Sequence, residues 1–397
     1  MGRAGDDSRI RMIAVTWAIA AGIFYCYDIL RDTGASLTTN GRPLGDDFVN
    51  YWSGAFLAWH GRAADVYNWP AYHAFQQGVV GDTVGAFHYS YPPVLLVLTV
   101  PLAALPYLPG LAAWLFAGWF AFYRALSMAL PGRDALLLAL ATPAVFLNAY
   151  GGQNGTWTAA FIGGGLCLIE RRPFVAGMLF GLMIYKPHLA LLIPVALLAG
   201  RQWSAIAGAA VSACALLLAS VLLFGTEIWR DYLHFAGHLR HTILEDGSGV
   251  WHRMTSVFVF ARRLGADVPN AYLMQAVMGL LAAGVVAFAW RRNAPMPIKS
   301  AALVLGTFLA TPYLQDYDLV LGAFAVVWLT RPEMLAHYSE RIALIACGLI
   351  FTVPLLASAL GNMTGLAFGP LFLLPAFILT ARAALGDQIL TPATTAR

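Results

Sequence analysis

The sequence predicts an all-α polytopic membrane protein, and three observations carry that expectation. Hydrophobic residues make up 59% of the chain and charged residues only 11%, the mean hydropathy is +0.68, and apolar runs recur throughout. Soluble domains carry about a quarter charged residues, so this composition belongs to a chain solvated by lipid. Taken in order, the runs predict about twelve crossings. The clearer ones are residues 12–30, 134–149, 155–169, 204–224, 271–290, 299–313, 317–330, 341–357 and 365–382. The first lies behind Arg3, Arg9 and Arg11 with no small-residue cleavage site after it, and reads as an uncleaved span.

Two regions admit two layouts. Residues 93–128 contain Pro101, Pro106 and Pro109 and read as one span plus a broken piece, or as two spans. Residues 174–200 read as a hairpin of short helices meeting at Lys186-Pro187, or as one kinked helix. Positive charge favours the hairpin. It puts Arg171-Arg172, Arg201, Arg291-Arg292-Lys299, Arg331 and Arg341 on the cytoplasmic side, whereas the alternative strands Lys186 in hydrocarbon. Either layout leaves both termini inside and two large loops outside, residues 31–92 and 225–270. The expected organisation is one integral membrane domain over 1–385, followed by a short tail over 386–397, in a bacterial inner membrane with the site facing the periplasm or cell exterior.

A net charge of +4 is too small for a nucleic-acid surface. Cys26, Cys167, Cys214 and Cys347 are single and widely spaced inside apolar runs, so they read as packing residues. No phosphate-binding glycine loop, dinucleotide fingerprint or D-x-D motif is present, which argues against a cytoplasmic nucleotide-sugar enzyme and for a lipid carrier.

The polar residues able to do chemistry gather in the outer loops. Asp46 and Asp47 open the stretch GDDFVNYWSGAFLAWHGRAADVYN, in which Phe48, Trp52, Ala55, Phe56 and Trp59 fall on one helical face. That pattern predicts a helix lying along the bilayer interface, with a second short interfacial piece starting near DVYNWPAYH. Carboxylates at a membrane surface, walled by aromatics, suit activation of a hydroxyl beside a lipid-borne substrate. Aspartate is also a favoured N-cap, but a cap needs only one of the pair. Gln153 and Asn154 lie in a glycine-flanked turn where amides can read sugar hydroxyls, and Asp316 and Asp318 lie in another outer turn, where they either contact sugar or cap the next helix. In the second loop, His234, His238 and His241 have helical spacing but no acidic third ligand, so a zinc site is not expected. A basic surface contacting lipid phosphates is the better reading, with His252-Arg253 closest to the membrane.

The run Asp47-Phe48-Val49-Asn50-Tyr51, followed by Gly-Arg and Asp65-Val66-Tyr67, resembles the opening of glycosyltransferase family 87. Further matches come in order: YPPVLLVLTVPLAALP at 91–106, GGQNG at 151–155, YKPHLALLIPVALLAGRQW at 185–203 and TPYLQDYDL at 311–319. The resemblance covers most of the chain. It implies a glycosyltransferase C-type fold and a mannosyltransferase that uses polyprenol-phosphate mannose, with a catalytic acid in the first outer loop and a tyrosine four positions on. Those features map onto Asp47 and Tyr51; the doubled aspartate leaves Asp46 in contention by one position. The implied partners are a polyprenyl-phosphate-linked sugar donor, a glycolipid or polysaccharide acceptor and membrane lipids, without nucleic acid and without a cofactor.

Such a donor already carries a good leaving group. The enzyme then needs a general base for the acceptor hydroxyl and cations for the departing phosphate, but no metal to cut the bond. Lys186 is the expected cation, emerging at the outer membrane face, with His188 as a second donor. A lipid or sugar transporter would also be polytopic, but it should show related halves and ionisable groups inside spans, and neither is visible.

Overall fold

The computed structural model describes residues 12, 14–24, 26–27, 42–247 and 250–386. Arg3, Arg9, Arg11, the first part of the expected outer loop (31–41) and nearly all of the expected tail lie outside the described residues. Among the described residues the protein is helical, without a β-strand, and Met254 and Gln315 form an isolated bridge.

The chain begins with α1 (Ala14–Phe24), α2 (Phe48–Trp59), α3 (Trp69–Val80) and α4 (Val94–Thr99). It continues through α5 (Tyr107–Ala129), α6 (Arg133–Ala141), α7 (Pro143–Tyr150), α8 (Gly155–Leu168), α9 (Pro173–Leu182), α10 (Leu192–Ala199) and α11 (Trp203–Phe224). Then come α12 (Glu227–Leu239), α13 (Val257–Arg263), α14 (Val268–Arg291), α15 (Met296–Ala310), α16 (Gly322–Leu329), α17 (Pro332–Leu335), α18 (Glu340–Thr364) and α19 (Gly369–Gly386).

Five of these, α5, α11, α14, α18 and α19, are long and apolar enough to cross a membrane, and five shorter apolar helices stand beside them. The shorter ones depart from the even row of spans that hydropathy suggests. At 1.5 Å per residue the 14 residues of α8 extend about 21 Å, less than the ~30 Å hydrocarbon core. Prolines explain several breaks. The run expected at 134–149 divides at Pro143, which sets Thr142 at ψ 117° and separates α6 from α7. The region 93–128 resolves into one full helix, α5, preceded by α4 and a 3-10 turn that carries Pro101. The run at 317–330 begins as a 3-10 helix, Asp316–Leu321, before α16.

The packing of α9 on α11 sets the direction of the middle of the chain. A Cβ on Gly177 would strike the Ala205 backbone, and one on Gly181 would strike Ala209 and Ser212, so both registers advance together. The two helices are therefore parallel. The chain must reverse twice between them, and α10 is the return limb, with Lys186-Pro187 at the turn. Close approach of small residues is how helices associate where lipid tails offer no hydrophobic gain. Replacing Gly208, whose Cβ would overlap the Phe174 carbonyl, by valine is expected to cost at least roughly 1–3 kcal/mol, because backbone cannot step aside as a side chain can. Thermal unfolding in detergent micelles measures this; an unchanged midpoint would contradict the parallel pairing.

The same logic sorts the connections into two ends. At one, Gly200 rests against Trp290, whose Nε1 donates to the Lys299 carbonyl at 3.2 Å, and Arg331 donates to the Ala129 carbonyl. Arg171, Arg172, Arg201, Arg291, Arg292 and Arg331 belong to connections at this end. The other end gathers residues 42–92, the 151–154 turn, the 185–191 hinge, the segments 225–247 and 250–267, and residues 311–316.

One expectation is overturned here. The helix predicted to lie at the interface, α2, is instead enclosed by protein, with Phe48 through Ala55 buried on every face together with Leu57 and Ala58. Its aromatic residues pack on rings from other segments: Phe48 and Trp52 on Tyr107, and Tyr51 on Tyr91 and Trp114. Trp59, at its far end, is 61% exposed.

Candidate active site

The dipeptide at the head of α2 is built by a tight turn. Gly45 (φ +77°) and Asp46 (φ +44°) both adopt left-handed backbone, which directs the two neighbouring aspartates into different surroundings. Neither acts as the cap that the sequence allows: Asp47 occupies the N-cap position but makes no side-chain cap hydrogen bond.

Asp46 turns inward and is 5% exposed. Arg42 holds it through Nε at 3.0 Å and Nη2 at 2.7 Å, and Arg253 Nη1 lies 3.6 Å away. Arg253 is itself clamped by Asp316, with Nε and Nη2 donating at 3.1 and 3.2 Å. Burial works against the Arg253 charge, but Asp316, Asp47 and Asp46 around it hold its proton more firmly than usual.

Asp47 faces a cavity of about 350 Å³. Gln153 Nε2 donates to its Oδ2, Tyr51 donates to Gln153 Oε1 at 2.9 Å, and the Tyr51 and Tyr91 hydroxyls are 2.8 Å apart. This chain of donors fixes one carboxylate oxygen and leaves Oδ1 without a hydrogen bond among the described residues. Its anchor is the 151–155 turn, where Gly152 (φ +57°) lies so close to the Gly45 carbonyl and Phe48 that any Cβ would collide with them. Burial, then the charge of Asp46, push the Asp47 carboxyl up to about 7, against the opposing pull of Arg253, Arg42 and the Gln153 hydrogen bond.

Lys186 corrects another expectation. Its ammonium does not emerge at an interface: the residue is 2% exposed and Nζ donates to Asp318 Oδ1 at 2.5 Å and to Asn154 Oδ1 at 3.0 Å. The Tyr317 ring lies 4.7 Å from Nζ. Asp318 has two tasks, because its Oδ2 also accepts from the Gln315 backbone N–H at 3.2 Å and completes a capping box at the start of the 3-10 helix. Asp316 likewise accepts from the Tyr317 backbone at 2.7 Å while clamping Arg253. A cation without a partner would be costly at this depth, so the chain supplies one from 132 residues away.

Asp47, Gln153, Lys186, His188 and Arg253 all border the one cavity. His188 Nε2 is buried without a partner among the described residues, and burial beside Lys186 pulls its pKa down to about 3, so the ring is neutral. Tyr51, Asn154, Asp316 and Asp318 stand one layer behind the wall. His252 does not line the cavity; its backbone lies against Gly361 of α18. Sequence reading overlooked Arg42, Asn50, Tyr91, Tyr313 and Gln315, all of which shape the site. Asn50, Tyr91, Tyr313 and Gln315 fall within the family-like runs quoted above, and Arg42 stands four residues before Asp46.

A second cavity, also about 350 Å³, is almost wholly apolar and is lined by residues of α4, α5, α8 and the α4–α5 connection that include Leu98, Leu105, Ala113, Trp157 and Phe161. Tyr185 borders both cavities and forms their common wall. Its hydroxyl is fixed by Thr158 at 2.7 Å.

Fold and site together define a multi-pass helical membrane protein with a carboxylate and cations converging on a cavity at one end of the bundle. The family model for glycosyltransferase family 87 matches residues 89–312, more than half of the chain, and the protein belongs to that family. No curated protein and no solved structure matches it. The matched stretch includes Gln153, Asn154, Lys186, His188 and Arg253; the aspartate pair precedes it, and Asp316 and Asp318 follow it.

Proposed function

We propose that this glycosyltransferase moves a hexose, mannose in the first instance, from a polyprenyl phosphate to a hydroxyl of a glycolipid or polysaccharide acceptor outside the cytoplasm. The observation that carries this reading is the position of Asp47: its carboxyl, with a pKa near 7, faces the cavity that Arg253, Lys186 and His188 also border. The acceptor oxygen attacks the anomeric carbon while Asp47 Oδ1 takes its proton. The bond from that carbon to the phosphate oxygen breaks, and its electron pair leaves with the lipid phosphate. One displacement inverts the anomeric centre and needs a single carboxylate, since the phosphate requires no proton to depart. Arg253 and the Nε2 side of His188 supply charge and a donor for the phosphate, and Lys186, held by Asp318 and Asn154, contributes its field from the cavity wall. The apolar cavity beyond Tyr185 suits the first isoprene units of the lipid. The arginine-rich end of the bundle supports an orientation with that end in the cytoplasm and the site opposite.

The test is purified protein in nanodiscs given labelled polyprenyl-phosphate mannose and candidate glycolipids, assayed across pH. A protonated carboxyl cannot accept a proton, so kcat/KM should rise with pH and level off above about 7. Absence of transfer, or a flat profile from acid to alkaline pH, would remove Asp47 from the role of base.

A further inference from the structure

A second polar recess, of about 550 Å³, lies beside the catalytic cavity and has no part in the scheme above. It is formed by both large loops: Asp65, Tyr67 and Asn68 come from the first, and Arg230, Asp231 and His234 from α12 in the second. The wall between recess and cavity is formed by two aromatic side chains. Tyr67 lines the recess and Tyr232 lines the cavity, with ring centroids 5.6 Å apart, and the Tyr67 hydroxyl donates at 2.7 Å to the carbonyl of Tyr91, another residue of the cavity wall.

We propose that this recess binds the acceptor glycan, taking a sugar unit at some remove from the attacked hydroxyl; the inference rests on the transferase reading of the neighbouring cavity. Its chemistry is that of a carbohydrate site. Carboxylate, amide, imidazole and guanidinium groups alternate around a tyrosine, so vicinal hydroxyls find both donors and acceptors. Much of this capacity is unspent. The side chains of Asp231 and His234 make no hydrogen bond or ion pair among the described residues, and Asn68 uses only its Oδ1, in a long contact of 3.5 Å with the Ala71 N–H. Asp65 is paired with Arg62 at 2.7 Å, and Arg230 with Glu227. With two carboxylates and one guanidinium on its lining, the recess is unsuited to a phosphate or another anion and suited to a neutral polyhydroxyl chain.

The experiment compares octyl mannoside with the octyl glycoside of mannotetraose as acceptors for labelled polyprenyl-phosphate mannose, using the full chain in nanodiscs. The variants are Asp231→Asn and Asn68→Ala, with thermal midpoints checked against the wild type. The wild type should show a KM about tenfold lower for the longer acceptor, the equivalent of one or two good hydrogen bonds. Both variants should lose that advantage, with kcat and single-sugar turnover unchanged. Equal KM for the two acceptors, or a length advantage that survives both substitutions, overturns the recess while leaving the transferase reading intact. Transfer to neither acceptor by the wild type overturns both.

Discussion

Asp47→Asn is expected to lower transfer by a factor on the order of 10²–10⁴, the range a positioned general base contributes. The substitution keeps the shape of the side chain and a hydrogen bond with Gln153, so the cavity and donor affinity should survive while kcat falls. The pH dependence near 7 should vanish with the carboxyl that causes it. Asp46→Asn is the informative companion. That residue holds Arg42 and lies 3.6 Å from Arg253, so its loss should loosen the cation and raise KM for the phosphate-bearing donor more than it lowers kcat. Retained turnover in Asp47→Asn with loss in Asp46→Asn would move the base by one residue, and turnover in both would end the mechanism. Initial rates with labelled donor at saturating and limiting concentrations separate these outcomes.

The largest effect on stability is expected at the Lys186–Asp318 pair. Removing one partner leaves the other charge buried and unpaired, which costs about 3–5 kcal/mol. Lys186→Met and Asp318→Asn should each lower the unfolding midpoint in micelles sharply, the second less so because its amide still caps the 3-10 helix. The double substitution Lys186→Met with Asp318→Leu should recover much of the loss, since a packed apolar pair is often as stable as a buried ion pair. The coupling in this cycle measures the interaction directly. Single substitutions that cost under ~1 kcal/mol would mean that the ammonium is free to leave Asp318 and meet the donor phosphate, restoring the role the sequence suggested for it. The pair ties the start of α8, the hinge after α9 and the 3-10 helix before α16 into one unit, so a loss here should also reduce transfer.

How much of this was legible in the sequence varies by element. The long helices α11, α14, α18 and α19 fall close to the apolar runs that announce them, because hydropathy over a span-length window reports transfer to lipid directly. The short segments were less readable. A run of 14 or 15 apolar residues signals burial without saying whether lipid or protein supplies it, as α8 and α15 show. The aromatic stripe of α2 is where this ambiguity misled: Phe48, Trp52 and Phe56 have the spacing of an interfacial helix, and the same spacing serves a helix packed against Tyr107 and neighbouring rings.

The candidate site divides in the same way. Asp47, Gln153, Lys186, His188 and Arg253 could be singled out one by one as polar groups in an apolar chain, since placing such groups there has a cost and so calls for a reason. Their pairing could not. That Arg253 joins Asp316 to Asp46, that Lys186 is spent on Asp318, and that Tyr91 and Tyr51 relay to Gln153 are matters of distance between residues far apart in the chain.

Sequence by itself determined the class of molecule, the place of its longest apolar helices, the basic character of one set of turns and the short inventory of polar residues available for chemistry. All of these follow from the cost of putting each residue type in lipid, a property local to the chain. Tertiary structure decided which aspartate looks into the cavity, which cations are already neutralised, and that a helix with the pattern of a surface element is buried. Those outcomes depend on long-range packing and on the field of neighbouring charges, which no local window of sequence contains.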